Sequence, residues 1–138
     1  MKIVTSVLLG LAPLGALAAP LSVTVEGVEA RGGTLYVSVQ TEAEFMQERG
    51  TAGEMTQDPG AGTHEFTFDV PEGDYAVIVW HDDDADGEFT MSPQGQPLDG
   101  WGMSGPAPRG MPSFGDAAVT VGPDGGTARL SVTYPRAR

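Results

Sequence analysis

Apolar and polar residues alternate along four stretches of the chain. Leu21, Val23 and Val25 are interleaved with Ser22, Thr24 and Glu26, and Leu35, Val37 and Val39 with Tyr36, Ser38 and Gln40. Phe66, Phe68 and Val70 repeat the pattern against Glu65, Thr67 and Asp69, as do Leu130, Val132 and Tyr134 against Arg129, Ser131 and Thr133. Successive side chains of an extended segment point to opposite faces, so each stretch predicts a strand with one buried face. Residues 75–80 are apolar at nearly every position, which predicts a strand that is either central and buried on both sides or at a sheet edge under a loop, and residues 119–121 add one more strand. Arg31-Gly32-Gly33, Pro71-Glu72-Gly73-Asp74 and Pro123-Asp124-Gly125-Gly126 carry turn chemistry between them.

Two segments break the alternation. Thr41 and Glu44 form a capping box ahead of Phe45 and Met46, predicting one short helix over residues 42–48, with Asp58-Pro59-Gly60 behind it as a connection between sheets. From beyond Glu88 to Ser113 runs a long Gly-, Pro- and Met-rich loop. Phe89, Met91, Trp101, Met103, Met111 and Phe114 are scattered through or beside it, so it is expected to pack over the domain instead of remaining disordered. About six or seven short strands with a long crossover predict an all-β fold, a small antiparallel β-sandwich of Greek-key character.

The start of the chain has a different character. Lys2 precedes an apolar stretch over residues 3–17, and Ala16-Leu17-Ala18 is a small-x-small cleavage pattern. Residues 1–18 are therefore expected to be a signal peptide cut after Ala18, and residues 19–138 a single sandwich domain in the periplasm or outside the cell. A membrane anchor fits less well, because the stretch falls short of the roughly 20 apolar residues of a span and has no basic flank after it. The chain has no cysteine, which excludes disulfides, thiolate metal sites and lipidation at a thiol. With a net charge of -12, it is poorly suited to nucleic acid or anionic lipid and better suited to cations, basic partners or simple solubility.

Candidate chemistry begins where the central strand ends, at His81-Asp82-Asp83-Asp84-Ala85-Asp86-Gly87. Asp82, Asp84 and Asp86 fall on alternate residues with a glycine directly after, matching positions 1, 3, 5 and 6 of a calcium-binding loop. Glu88 would lend its backbone carbonyl at position 7. Position 12, which is a bidentate Glu in an EF-hand, is Pro93 here, so the pattern is that of a shorter cation loop completed from elsewhere. Asp99 and Asp116 are the nearest acidic candidates, and calcium is the expected cofactor. The bland alternative is a solvated acidic turn whose side chains cap loop amides.

The set His81-Asp82-x-Asp84-x-Asp86-Gly87, Gly95-x-Pro97-x-Asp99-Gly100-Trp101-Gly102-x-Ser104 and Pro112-Ser113-Phe114-x-Asp116-Ala117 resembles the signature of a bacterial exported family catalogued as domain of unknown function 2141. The family usually has Asn where this chain has Asp84 and Asp86, and an acidic residue where it has Thr90. The resemblance implies a secreted sandwich and assigns no activity.

Three functional classes follow. The leading one is a non-enzymatic exported domain with a structural calcium site. The second is a binding module whose Trp101 loop contacts a carbohydrate or an envelope protein. The third comprises a copper site built from His81 and the loop methionines, or a hydrolase using His81, Asp82 and Ser104 or Ser113. No strained nucleophile elbow accompanies those serines, and the methionines lack tight spacing.

Overall fold

The computed structural model describes residues 18–47, 49–89, 91–94, 97–106 and 111–135. Of the expected signal peptide, residues 1–18, all but Ala18, the first residue of β1, lie outside them. The chain folds into two sheets. One has three strands in the order β4 (Gly62–Pro71), β1 (Ala18–Val28), β8 (Gly126–Ser131). The other runs β3 (Ala52–Gln57), β2 (Thr34–Gln40), β5 (Gly73–Asp82), β6 (Gly100–Met103), and β7 (Val119–Val121) also pairs with β5.

The alternation read from the sequence places the core. Leu21, Val23 and Val25 of β1, Leu35, Val37 and Val39 of β2, Phe66, Phe68 and Val70 of β4, Val77 and Val79 of β5, and Leu130 of β8 pack into one cluster. Burying each such side chain is worth about 1.5–3 kcal/mol against leaving it in water, and in a chain without disulfides this cluster holds the two sheets together. Tyr75 adds a fixed corner, its hydroxyl donating to the Pro71 carbonyl at 2.6 Å.

The outer face of the larger sheet has a second, smaller core. Ala76 and Met103 are buried there with Ala117, and Phe45, Ile78, Trp101 and Phe114 pack against them. Phe45 and Phe114 meet edge to face at 5.8 Å. This covering is why β5 is apolar on both faces, as the sequence pattern predicts.

The structure departs from the sequence reading in four places. Eight strands are present among the described residues, because β3 and β6, which lack the alternating signature, add to those it reveals. β3 is a largely exposed edge strand with no apolar face to reveal it. β6 lies inside the segment read as a loop, and its glycines are the reason it was hidden. A Cβ on Gly100 would lie 2.5 Å from the Tyr134 ring, and one on Gly102 2.1 Å from the Ser131 carbonyl oxygen, so close approach of backbones forces residues that otherwise signal loops. Trp101 exchanges backbone hydrogen bonds with Thr133 at 3.0 and 2.7 Å, tying this edge to the chain beyond β8.

The sheets are mostly antiparallel, but β1 and β8 run parallel, from Leu21 opposite Gly126 to Glu26 opposite Ser131. The helix expected over residues 42–48 is a single 3-10 turn, Glu42–Glu44. Glu44 accepts from the Thr41 amide at 2.9 Å, as a capping box should, but Phe45 leaves the helical region with a ψ of 126° and ends the turn, and Met46 follows at a left-handed φ of 67°. The one α-helical turn, α1 (Phe114–Ala117), capped by Ser113, was not anticipated.

Candidate metal site

β5 ends at Asp82, which is 3% exposed and faces Thr34 across the strand pair. The chain then turns tightly, with the Ala85 amide donating to the Asp82 carbonyl at 3.3 Å and both Ala85 and Gly87 at positive φ (58° and 75°). This winding aims alternate carboxylates inward. Asp82 Oδ2 accepts from the Gly87 amide at 2.8 Å, Asp84 Oδ1 from the Asp86 amide at 3.3 Å, and Asp86 Oδ1 from the Glu88 amide at 2.9 Å. Asp83, the residue out of phase, turns away and pairs with Arg31 at 3.2 Å.

The fourth carboxylate arrives from the other side. Asp99 immediately precedes β6, is 1% exposed, and accepts from the Trp80 indole N–H at 2.8 Å. Asp82, Asp84, Asp86 and Asp99 each present an oxygen, and these atoms all lie within 4.8 Å of one another. Asp82 and Asp99 form the buried floor, and Asp84 and Asp86 the exposed rim. Two buried carboxylates at this spacing repel by roughly 3 kcal/mol at an effective dielectric near 20.

The hydrogen-bond inventory singles out one atom. Asp82 Oδ1 is buried and has no donor. A buried carboxylate oxygen without a partner is costly, so this oxygen calls for a proton from a neighbouring carboxyl, an ordered water or a cation. The same geometry pushes the Asp84 carboxyl up from the usual carboxylate range: proximity to Asp82 is the largest cause, with slight desolvation and the Asp86 carboxylate adding to it, against the Asp86 amide.

Two sequence candidates are not in the cluster. Asp116 sits in α1, exposed, with its amide donating to Ser113 Oγ at 3.2 Å, and its carboxylate is not among the four. The chain after β6 carries it to α1, whose Phe114 and Ala117 belong to the second core. Glu88, expected to lend its backbone carbonyl, has an exposed side chain that is also outside the carboxylate cluster. Trp80 as the anchor of Asp99 was missed, although its outward position in the alternation of β5 was the available signal.

The weaker chemistries find no assembled site among the described residues. His81 is fully buried, with Nδ1 2.6 Å from the Tyr134 hydroxyl and Nε2 2.7 Å from the Gly32 carbonyl. The carbonyl can only accept, so Nε2 carries the hydrogen and Nδ1 accepts from Tyr134; neither nitrogen is open to copper. Ser104 Oγ accepts from the Val77 amide and donates to the Ala117 carbonyl, and Ser113 caps α1, so neither serine is poised beside His81 as a nucleophile. Met103 is buried in the second core, whereas Met91 and Met111 are exposed.

The fold and the site together define a β-sandwich with a carboxylate cluster closing a long excursion between two neighbouring strands. Residues 23–129 match the family described as an uncharacterised protein conserved in bacteria, DUF2141, and the chain belongs to that family. No curated protein and no solved structure matches it.

Proposed function

We propose that this is a non-enzymatic exported protein in which Asp82, Asp84, Asp86 and Asp99 hold a calcium ion, with the Glu88 carbonyl as a further ligand. The observation that carries this reading is the buried, donorless Oδ1 of Asp82, a residue whose carboxylate clusters with three others. The donors are all oxygen, which suits a hard cation, and a cluster of four carboxylates suits calcium better than magnesium, which keeps several waters and is usually held by one or two carboxylates. The ion's task is structural. By joining the end of β5 to the start of β6, it clips the intervening residues 83–98 onto the sandwich and holds Trp80 through Asp99.

Ion binding to the folded state alone adds about 2.7 kcal/mol at a hundredfold excess over Kd, and extracellular calcium modules have Kd near roughly 10⁻⁴–10⁻³ M. Calcium at several millimolar is therefore expected to raise the melting temperature of the mature domain, magnesium less so, and the double variant Asp84→Ala/Asp86→Ala is expected to abolish the difference. Equal melting in calcium and in chelator at matched ionic strength would leave the cluster as a solvated acidic turn.

A further inference from the structure

The cation site does not stand alone on its face of the molecule. Cross-strand register sets Met55, Tyr36, Trp80 and Trp101 in one row across β3, β2, β5 and β6. Tyr36 and Trp80 stack at 4.8 Å and 17°, and Phe89, 43% exposed, meets Trp80 edge-on at 6.0 Å. On its β3 side Tyr36 lines a shallow groove of about 480 Å³ together with Ser38, Arg49, Thr51 and Met55, a volume within the usual range for ligand sites. An acidic rim, a half-buried Tyr36–Trp80 stack edged by the exposed Phe89, and a groove with hydrogen-bonding walls thus adjoin on one sheet face.

Building on the calcium reading, we infer that this face binds a neutral glycan, with the ion coordinating a vicinal pair of hydroxyls. The ligand count points there. With one oxygen from each of the four carboxylates and the Glu88 carbonyl, the protein supplies five, short of the six to eight or so that calcium takes, and Asp84 and Asp86 stand on the exposed rim of the cluster. The open positions must be filled by water or by oxygens of a ligand that displaces it. Charge selects the ligand: four carboxylates around a divalent ion keep a negative surplus, in a chain of net charge -12, so carboxylate, sulfate and phosphate ligands are repelled while hydroxyls are not. The apolar C–H faces of sugar rings suit Phe89 and the Tyr36–Trp80 stack, and hydroxyls further along the chain reach Ser38, Thr51 and Arg49.

The test uses the mature protein with soluble α-mannan, dextran and cellohexaose as neutral probes and polygalacturonate as the anionic counterpart, measured by calorimetry in calcium and in chelator. The expected result is binding to at least one neutral probe that weakens at least tenfold in chelator. Phe89→Ala and Met55→Glu, neither of them a cation ligand, should weaken it similarly while keeping the calcium-dependent rise in melting temperature. If calcium raises the melting temperature but no neutral probe binds, the glycan inference is overturned and the structural ion stands. Binding that is unchanged in chelator, or stronger to polygalacturonate than to any neutral probe, overturns it as well. If calcium changes nothing in the melting temperature, the ion reading fails and this inference fails with it.

Discussion

Asp82 carries two opposite demands in one side chain. Oδ2 is satisfied by the Gly87 amide and shapes the loop, while Oδ1 is buried without a donor among like charges. Asp82→Asn separates these demands, since the amide keeps an oxygen for Gly87 and supplies a donor where the carboxylate has none. In calcium-free buffer the variant should be as stable as the parent or up to about 1 kcal/mol more stable, because a buried unpaired charge has been replaced by a paired dipole. In calcium it should be the less stable of the two, having lost a ligand. Chemical denaturation in both buffers reads this inversion, and a variant weaker in both would show that the loop needs the carboxylate for its own sake. Asp84 adds a pH dependence whose sign follows from its raised pKa. The folded metal-free state holds that proton more tightly than the unfolded chain, so its contribution is present at low pH and is lost as pH rises through the elevated value. Mild acidification of calcium-stripped protein should therefore narrow or reverse any stability deficit relative to Asp84→Asn, whereas in calcium protons compete with the ion and acidification should destabilise the parent. A parent and variant that track each other at every pH in stripped buffer would remove Asp84 from the cluster's electrostatics.

At the scale of elements, the strands with one buried face were legible in the sequence because burial writes itself as a period of two. β1, β2, β4 and the chain through β8 show it. β3 was illegible because an exposed edge leaves no apolar signature, and β6 because Gly100 and Gly102 serve a close approach that sequence reads as loop. The same separation explains the site: Asp82, Asp84 and Asp86 were readable from local spacing, and Asp99 only as the nearest acidic residue, since its placement depends on β6 pairing with β5. Gly102→Ala should destabilise by about 3 kcal/mol through overpacking against the Ser131 carbonyl, while Gly32→Ala, with open space around it but a φ of 76°, should lose only about 1 kcal/mol. Equal losses in denaturant titrations would mean that β6 can shift away from residues 131–134. β6 also decides which tryptophan reports on the ion. Trp80 donates to Asp99, whereas Trp101 rests on the second core and is bridged to Thr133. Chelation should red-shift the fluorescence of Trp101→Phe, leave that of Trp80→Phe nearly unchanged, and speed proteolysis within residues 83–98. An unchanged Trp101→Phe spectrum would mean that the aromatic packing around Trp80 holds without the ion.

For the whole molecule, the most consequential feature is the parallel pairing of β1 with β8, which places Leu21 beside Gly126 and makes the earliest strand the middle of its sheet. Contacts between such distant parts of a chain form late, because loop-closure entropy must be overcome before they contribute. A version ending at residue 125 lacks the partner of β1 along one whole edge and should show no cooperative thermal transition; a sharp transition in circular dichroism would place the folding nucleus elsewhere. For a polypeptide threaded amino terminus first through a narrow translocation channel, this topology works as a built-in delay. On the proposed export route, the smaller sheet lacks one edge of β1 until β8 has emerged, which would favour the extended form that the channel accepts and closure on the far side.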